Sequence, residues 1–205
     1  METPIPREVT RVSVLDAVIA RLWDADEGEL RIADVCAETG LSSSVIYNNY
    51  RSRQGLIDAA YLEIYRTMTD QLVAIFQNVA AESADIAAVA RYVHEQITVP
   101  ATHEFWAKNR QIRLRIATAA IARPSLQRDF VLLQDHYLNR LTELFTDMQR
   151  RHLAGDLLKP RQLAIMFEGC LLFRSFNDIA LHPVDNDSWL EMLMSVLGAC
   201  ASRTP

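Results

Sequence analysis

The sequence has no apolar run of the roughly 18 residues that a membrane-spanning helix needs, and its first stretch, METPIPREVTRV, lacks the apolar region of a secretory signal. A cytoplasmic chain with no membrane partner is expected. Glycine and proline are scarce, at 6 and 7 of 205 residues, and no alternating strand pattern or internal repeat occurs. Cys36, Cys170 and Cys200 are odd in number, far apart and without CxxC spacing, which points to buried reduced thiols and away from a disulfide framework or a zinc site. The five histidines, His94, His103, His136, His152 and His182, form no HxxxH pair, and none follows a Glu at ExxH spacing. GxSxG, GxGxxG and P-loop patterns are missing too. Neither a catalytic constellation, a metal nor a cofactor is expected.

What is present is helix-forming material. Half the residues are apolar (50%), which excludes a disordered chain, and Ala, Leu, Arg, Glu and Gln are plentiful. A first helix is expected over about Arg7 to Trp23, with Val12, Leu15, Val18, Ile19 and Leu22 on one face. It stops in the acidic segment DADEGE. A short second helix, about Ile32 to Thr39, ends at Gly40, a residue free to take the left-handed conformation of a tight turn.

The stretch that follows, LSSSVIYNNYRSRQGL from Leu41, spends its positions on Ser, Asn and Tyr, which weaken a helix that has only its own stability to serve. With Ser42 as N-cap, Leu41, Ile46 and Tyr50 would face the first two helices, and Ser43, Ser44, Tyr47 and Asn48 would face outward. Two short helices around a glycine turn, the second with exposed hydrogen-bonding side chains, have the organisation of a helix-turn-helix. A helical hairpin with a solvated polar face has the same pattern.

The run IADVCAETGLSSSVIYNNYRSRQGL, Ile32 to Leu56, resembles the DNA-binding segment of TetR-type transcriptional regulators. The resemblance lies in the apolar second helix, Gly40–Leu41–Ser42, Tyr47 in the recognition helix, the closing aromatic Tyr50, and Ser52, a basic residue and Leu56 opening the next helix. It implies DNA contacts by Ser42, Ser43, Ser44, Tyr47, Asn48 and Asn49, with Arg51 and Arg53 on the phosphate backbone. Arg31 stands where the family usually has Thr or Ser and can reach a phosphate itself; Arg7 and Arg11 are further candidates in the N-terminal arm.

Charge runs against the usual footprint of a DNA-binding head. The chain carries −5. Residues 1–60 hold six arginines against ten acids, a balance of −4, although no acid lies between Glu38 and Asp58. A neutral-to-basic face on an acidic domain is expected, with weak non-specific binding and a shallow salt dependence.

Ser52 would cap a long helix whose stripe runs from Leu56 through Ile57, Ala60, Tyr61, Ile64, Met68, Leu72, Ile75 and Phe76 to about Val79. Further helices are expected over about Asp85–Val99, His103–Ile121, Ser125–His152, Pro160–Leu181 and Asn186–Ala201, with Pro100, Pro124 and Pro183 between elements and Pro160 in a first turn. The resemblance implies that the helices near 125–152 and 160–181 form a homodimer interface and that the middle helices enclose a small, largely apolar effector. Tyr92, His103, Phe105, Trp106, Phe130, Tyr137, Met166 and Phe173 are the bulky side chains in those segments; each is also a plausible core residue. Lys108, Arg110, Arg113 and Arg115 share one helix, as a solvated face or as a trap for an acidic ligand group.

The expectation is therefore an all-α chain. A helix-turn-helix head of three helices, residues 1–54, is joined by a long helix to a ligand-binding and dimerisation bundle, residues 55–205. Its implied partners are a double-stranded DNA operator, a small-molecule effector and a second copy of itself, and its implied action is repression relieved by the effector. The alternative from a different class is a small-molecule-binding bundle whose head lacks specific DNA binding; a helical enzyme is a third.

Overall fold

The computed structural model describes residues 7–85, 87–89, 91, 92, 95 and 100–198, with side chains except at 7–13, 100–103 and 196–198. Its elements are α1 (Arg7–Asp24), a 3-10 turn (Glu27–Glu29), α2 (Ile32–Thr39), α3 (Ser43–Tyr50), α4 (Arg53–Glu82), α5 (Pro100–Ala122), α6 (Pro124–Arg150), α7 (Pro160–Asn177) and α8 (Asn186–Gly198). Among the described residues there is no strand, and no helix is long and apolar enough to cross a membrane. The expected helix over 85–99 falls largely outside them.

The head forms as its apolar spacing dictates. Val14, Val18, Leu22, Leu30, Val35, Ile46 and Tyr50 from α1 to α3 are buried in one cluster with Leu56, Ile57, Ala60, Tyr61 and Ile64 of α4. Ile112, Ile116 and Ala120 of α5 and Leu126 of α6 belong to the same cluster, so the core of the head runs on past residue 54. A second cluster joins Leu72, Val73 and Ala80 of α4 to Tyr137, Leu141, Leu144 and Phe145 of α6 and Leu163, Ala164 and Phe167 of α7. At about 1.5 Å per residue α4 is roughly 45 Å long, and it spans both clusters.

Helix ends differ from expectation where backbone chemistry overrides the punctuation. Pro100 and Pro124, expected between elements, open α5 and α6; a proline in the first turn loses only an N–H that has no partner in the helix anyway. α7 stops at Asn177, short of Leu181. There the Asn177 amide donates to the Val184 carbonyl (2.9 Å) and accepts from its N–H (2.8 Å), closing a loop over residues 178–184. α4 continues to Glu82, a turn beyond Val79.

Candidate nucleic-acid interface and apolar cavity

Gly40 closes α2 with φ of +69°, and its N–H bonds the Cys36 carbonyl (2.9 Å). The chain turns there into α3. Ile46 and Tyr50 are buried and Leu41 is half-buried against the head core, while Ser42, Ser43, Ser44, Tyr47, Asn48 and Arg51 are exposed. These six share one side of the head because positions 43, 44, 47, 48 and 51 repeat at helical spacing. Tyr47 is 43% exposed.

Three details of this face depart from the simple pattern. Ser42 occupies the N-cap position of α3 without a side-chain cap bond; its hydroxyl is 2.8 Å from that of Ser44. Asn49 is half-buried and donates Nδ2 to the Val45 carbonyl at 3.0 Å, so its amide is spent on its own helix. Arg53, expected on the phosphate backbone, turns inward: Nε donates to the Leu30 carbonyl at 2.8 Å and Nη2 to the Glu27 carbonyl. The guanidinium thus reaches two carbonyls of the neighbouring turn, of which that of Glu27 also accepts from Leu30 N–H (3.3 Å). Arg31 is exposed at the N-cap of α2, with no cap bond. The side chains of Arg7 and Arg11 lie outside the described ones.

The turn from α3 to α4 is strained. Arg51 has φ +67° and ψ −38°, and Ser52 N–H bonds the Tyr50 carbonyl at 2.8 Å, a γ-turn of the positive-φ form. Ser52 then caps α4, its Oγ accepting from Gly55 N–H at 2.9 Å. A Cβ on Gly55 would stand 2.2 Å from the Tyr50 carbonyl oxygen, so the approach of the two helices requires glycine.

The acids of the head are held by cations of the helices that follow. Lys108 pairs with Asp24, Arg115 with Asp26 (3.4 Å), and Arg123 with both Glu27 (2.8 Å) and Asp58 (3.2 Å). Arg115 also donates to the Leu22 (3.1 Å) and Ala25 (2.9 Å) carbonyls at the end of α1. Counting these three cations with residues 1–60 reduces the imbalance from −4 to −1. The four basic residues of α5 divide: Lys108 stays exposed, whereas Arg110 pairs with Asp178 (2.8 Å) and Arg113 with Glu168 (2.5 Å) between the rings of Tyr65 and Tyr137, 5.5 and 4.9 Å from their centroids.

A cavity of about 110 Å³ opens between α4, α5, α7 and α8. Its apolar wall includes Leu72, Ile75, Phe76, Tyr92, Trp106, Phe167, Leu171, Trp189, Leu190 and Leu193, with Cys170, whose thiol burial keeps protonated by raising its pKa. Of the eight expected ligand residues, Tyr92 and Trp106 line it. Phe130 packs on Tyr65 (centroids 4.7 Å apart), Tyr137 is buried beneath Arg113, and Met166 packs against the second core. Phe105 and Phe173 are exposed, and the His103 side chain lies outside the described ones. Helical spacing alone does not tell a cavity wall from a core.

Of the polar part of the wall, Arg110 was among the four basic residues expected as a solvated face or a trap for an acidic group, and Arg174 went unread in the sequence. Arg110 and Arg174 both line the cavity and both lie against Asp178. Arg174 is a lone charge inside the apolar run GCLLFRSF, a signal that could have found it. Burial, then the adjacent Arg110 charge, lower its pKa, opposed by Asp178 and Asp185. Among the described residues no cluster of His, Cys, Asp and Glu suited to a metal occurs.

No family model matches the sequence, and no curated protein matches it. Solved structures do. A TetR-family transcriptional regulator from Cytophaga hutchinsonii superposes with TM-score 0.69 at 10% identity, covering 99% of this chain and 100% of that one. A Rhodococcus sp. protein assigned to the TetR family gives 0.65 at 16% identity, covering 94% and 98%. A protein from Saccharomonospora viridis, assigned as a transcriptional regulator and in complex with choline, gives 0.63 at 14% identity, covering 96% and 97%. The chain has the all-helical fold of these regulators along nearly its whole length.

Proposed function

We propose that the chain is a transcriptional regulator that binds a palindromic DNA operator as a homodimer and is released from it by a small molecule held in the cavity. The observation that carries this reading is the outer face of α3: Ser43, Ser44, Tyr47 and Asn48 are exposed together, with no acid between Glu38 and Asp58, and the acids that flank the head are drawn toward α5 and α6. Hydroxyl and amide groups of this kind read base edges and phosphates without the desolvation cost of a full charge. Ser42, Arg51 and Arg31 border the face and supply backbone contacts; Asn49 and Arg53, already engaged within the protein, support its shape. Residues 1–54 act as the reading head and 55–205 as the sensing and dimerising part.

Dimerisation is supported by α7. Gln162, Ile165, Gly169, Phe173 and Phe176 form an exposed stripe at spacings of three and four, and a Cβ on Gly169 would meet nothing within 4 Å. Leu132 is an exposed apolar residue on neighbouring α6, at 69% exposure. Two copies joined there present two α3 helices, and their separation must match half-sites about 34–36 Å apart. Control is supported by α5, which carries Trp106 and Arg110 in the cavity wall and Arg115 against the end of α1. A ligand that displaces α5 acts on the head through Arg115 and Arg123, and α4 moves with them.

Selection of bound sequences from a random duplex library at about 0.1 M salt tests the reading, with Tyr47→Ala in parallel. Enrichment of a palindrome that the variant fails to enrich is expected. Recovery of no sequence favours the second reading, a ligand-binding bundle without specific DNA binding, for which the absence of any excess positive charge on the head is the supporting observation.

A further inference from the structure

Two guanidinium groups, those of Arg110 and Arg174, line the cavity and share one carboxylate, Asp178. Arg110 donates Nε to Asp178 Oδ2 at 2.8 Å, and its Nη2 lies 2.8 Å from the same oxygen. Arg174 is 3.6 Å from Asp178 through Nε and donates Nη2 to Asn186 Oδ1. Its guanidinium stacks over Trp189, 5.0 Å from the ring centroid. Nη1 of Arg174 is buried with no hydrogen-bond partner among the described residues, and the side chain is only 8% exposed. Asp185 also acts on Arg174, but it is exposed and accepts from Ser188 N–H and Oγ–H, both at 2.8 Å. A buried donor left without an acceptor is unfavourable, and a surplus positive charge in an apolar wall is more so. A bound anionic group beside Arg110 and Arg174 would offset the surplus charge.

We propose that the cavity takes a small monocarboxylate, its aromatic or short aliphatic body against Phe76, Trp106, Phe167 and Trp189 and its carboxylate received by Arg174 beside Arg110. This rests on reading the cavity as the effector site. A cation would meet two like charges. A neutral ligand would leave the surplus charge without a counter-charge. One surplus charge suits one carboxylate, and about 110 Å³ is of the order of the roughly 150 Å³ that holds a benzene ring.

The test uses the full chain without DNA and five probes: phenylacetate, 2-phenylacetamide, phenethylamine, hexanoate and hexanamide. Binding is read by tryptophan fluorescence, since Trp106 and Trp189 are in the wall, and by the shift in melting temperature. Both carboxylates are expected to bind saturably, each at least about tenfold more tightly than its amide, a factor matching a charge-assisted hydrogen bond, with no binding of the amine. Arg174→Gln is expected to close the gap between acid and amide, and Leu190→Trp, which fills the cavity, to weaken the acids and the amides alike. An amide or the amine binding as tightly as its acid, no probe binding to the wild-type chain, or undiminished acid preference in folded Arg174→Gln overturns the proposal. Acid binding without operator selection would remove the regulator reading and leave this one; selection without acid binding would do the reverse.

Discussion

The Nε of Arg53 donates to the carbonyl oxygen of Leu30 at 2.8 Å, tying the first turn of α4 to the segment between α1 and α2, 23 positions earlier in the chain. With a second bond to Glu27, the guanidinium closes the back of the head. Arg53→Lys keeps the charge but loses the planar fork. Urea unfolding should show a loss of about 1–2 kcal/mol, and operator affinity of the folded variant should stay within about threefold of wild type, an effect below 1 kcal/mol.

Gly55 should tolerate no side chain. A methyl group there meets the Tyr50 carbonyl, a backbone atom that has no rotamer to move aside. Gly55→Ala is expected to lower stability by about 1–3 kcal/mol and to weaken operator binding, because α3 and α4 must part. Unchanged melting of this variant would mean that the helices do not meet as closely as described.

Arg51 holds its positive φ at the cost of strain. Arg51→Gly removes the Cβ conflict and should raise stability by about 0.5–1 kcal/mol after the entropy of glycine in the unfolded chain is offset. The same substitution should weaken DNA binding and flatten its salt dependence by about one phosphate contact. A variant that gains stability and keeps full affinity would remove Arg51 from the interface.

Arg123 bridges Glu27 and Asp58 and stacks over Tyr61, 5.5 Å from the ring centroid. Asp58 is 11% exposed, and without Arg123 it keeps Gln54 and Ser125, each at 3.1 Å, but no counter-charge. Arg123→Ala is expected to cost about 3 kcal/mol. Lys108→Ala, which breaks a pair whose side chains are 45% and 75% exposed, should cost under about 1 kcal/mol. Denaturant melts of the two variants test whether the junction of head and bundle is held by the buried pair.

Tyr61 and Tyr65 are both pushed up to about 12 by burial, and burial raises Tyr137 as well. The unfolded chain ionises its tyrosines near the ordinary value of 10.0. A raised folded pKa means that the native state holds the proton more tightly, so the stabilisation is complete below pH 10 and is lost between about pH 10 and 12. These three phenols should ionise together with unfolding when absorbance near 295 nm and helicity are followed in parallel through that window. Ionisation of all the tyrosines before helicity falls would contradict it.

The sequence alone determined the helices of the head and the exposed polar face of α3, for a local reason. A residue's side of a helix follows from its spacing, and Gly40, Ser52 and the apolar positions around them set where α2, α3 and α4 start and stop through interactions within a few residues. Ser43, Ser44, Tyr47 and Asn48 could therefore be placed outside before any packing was known. The tertiary structure alone decided the roles of the charges. Arg115 and Arg123 meet α1 and the 3-10 turn across more than 90 positions, Arg53 turns away from the exposed face, and Arg110 and Arg174 come together with Asp178 at a cavity. A charged side chain is long and takes whatever partner lies within reach, and that partner is set by how helices cross, which spacing along one helix does not encode.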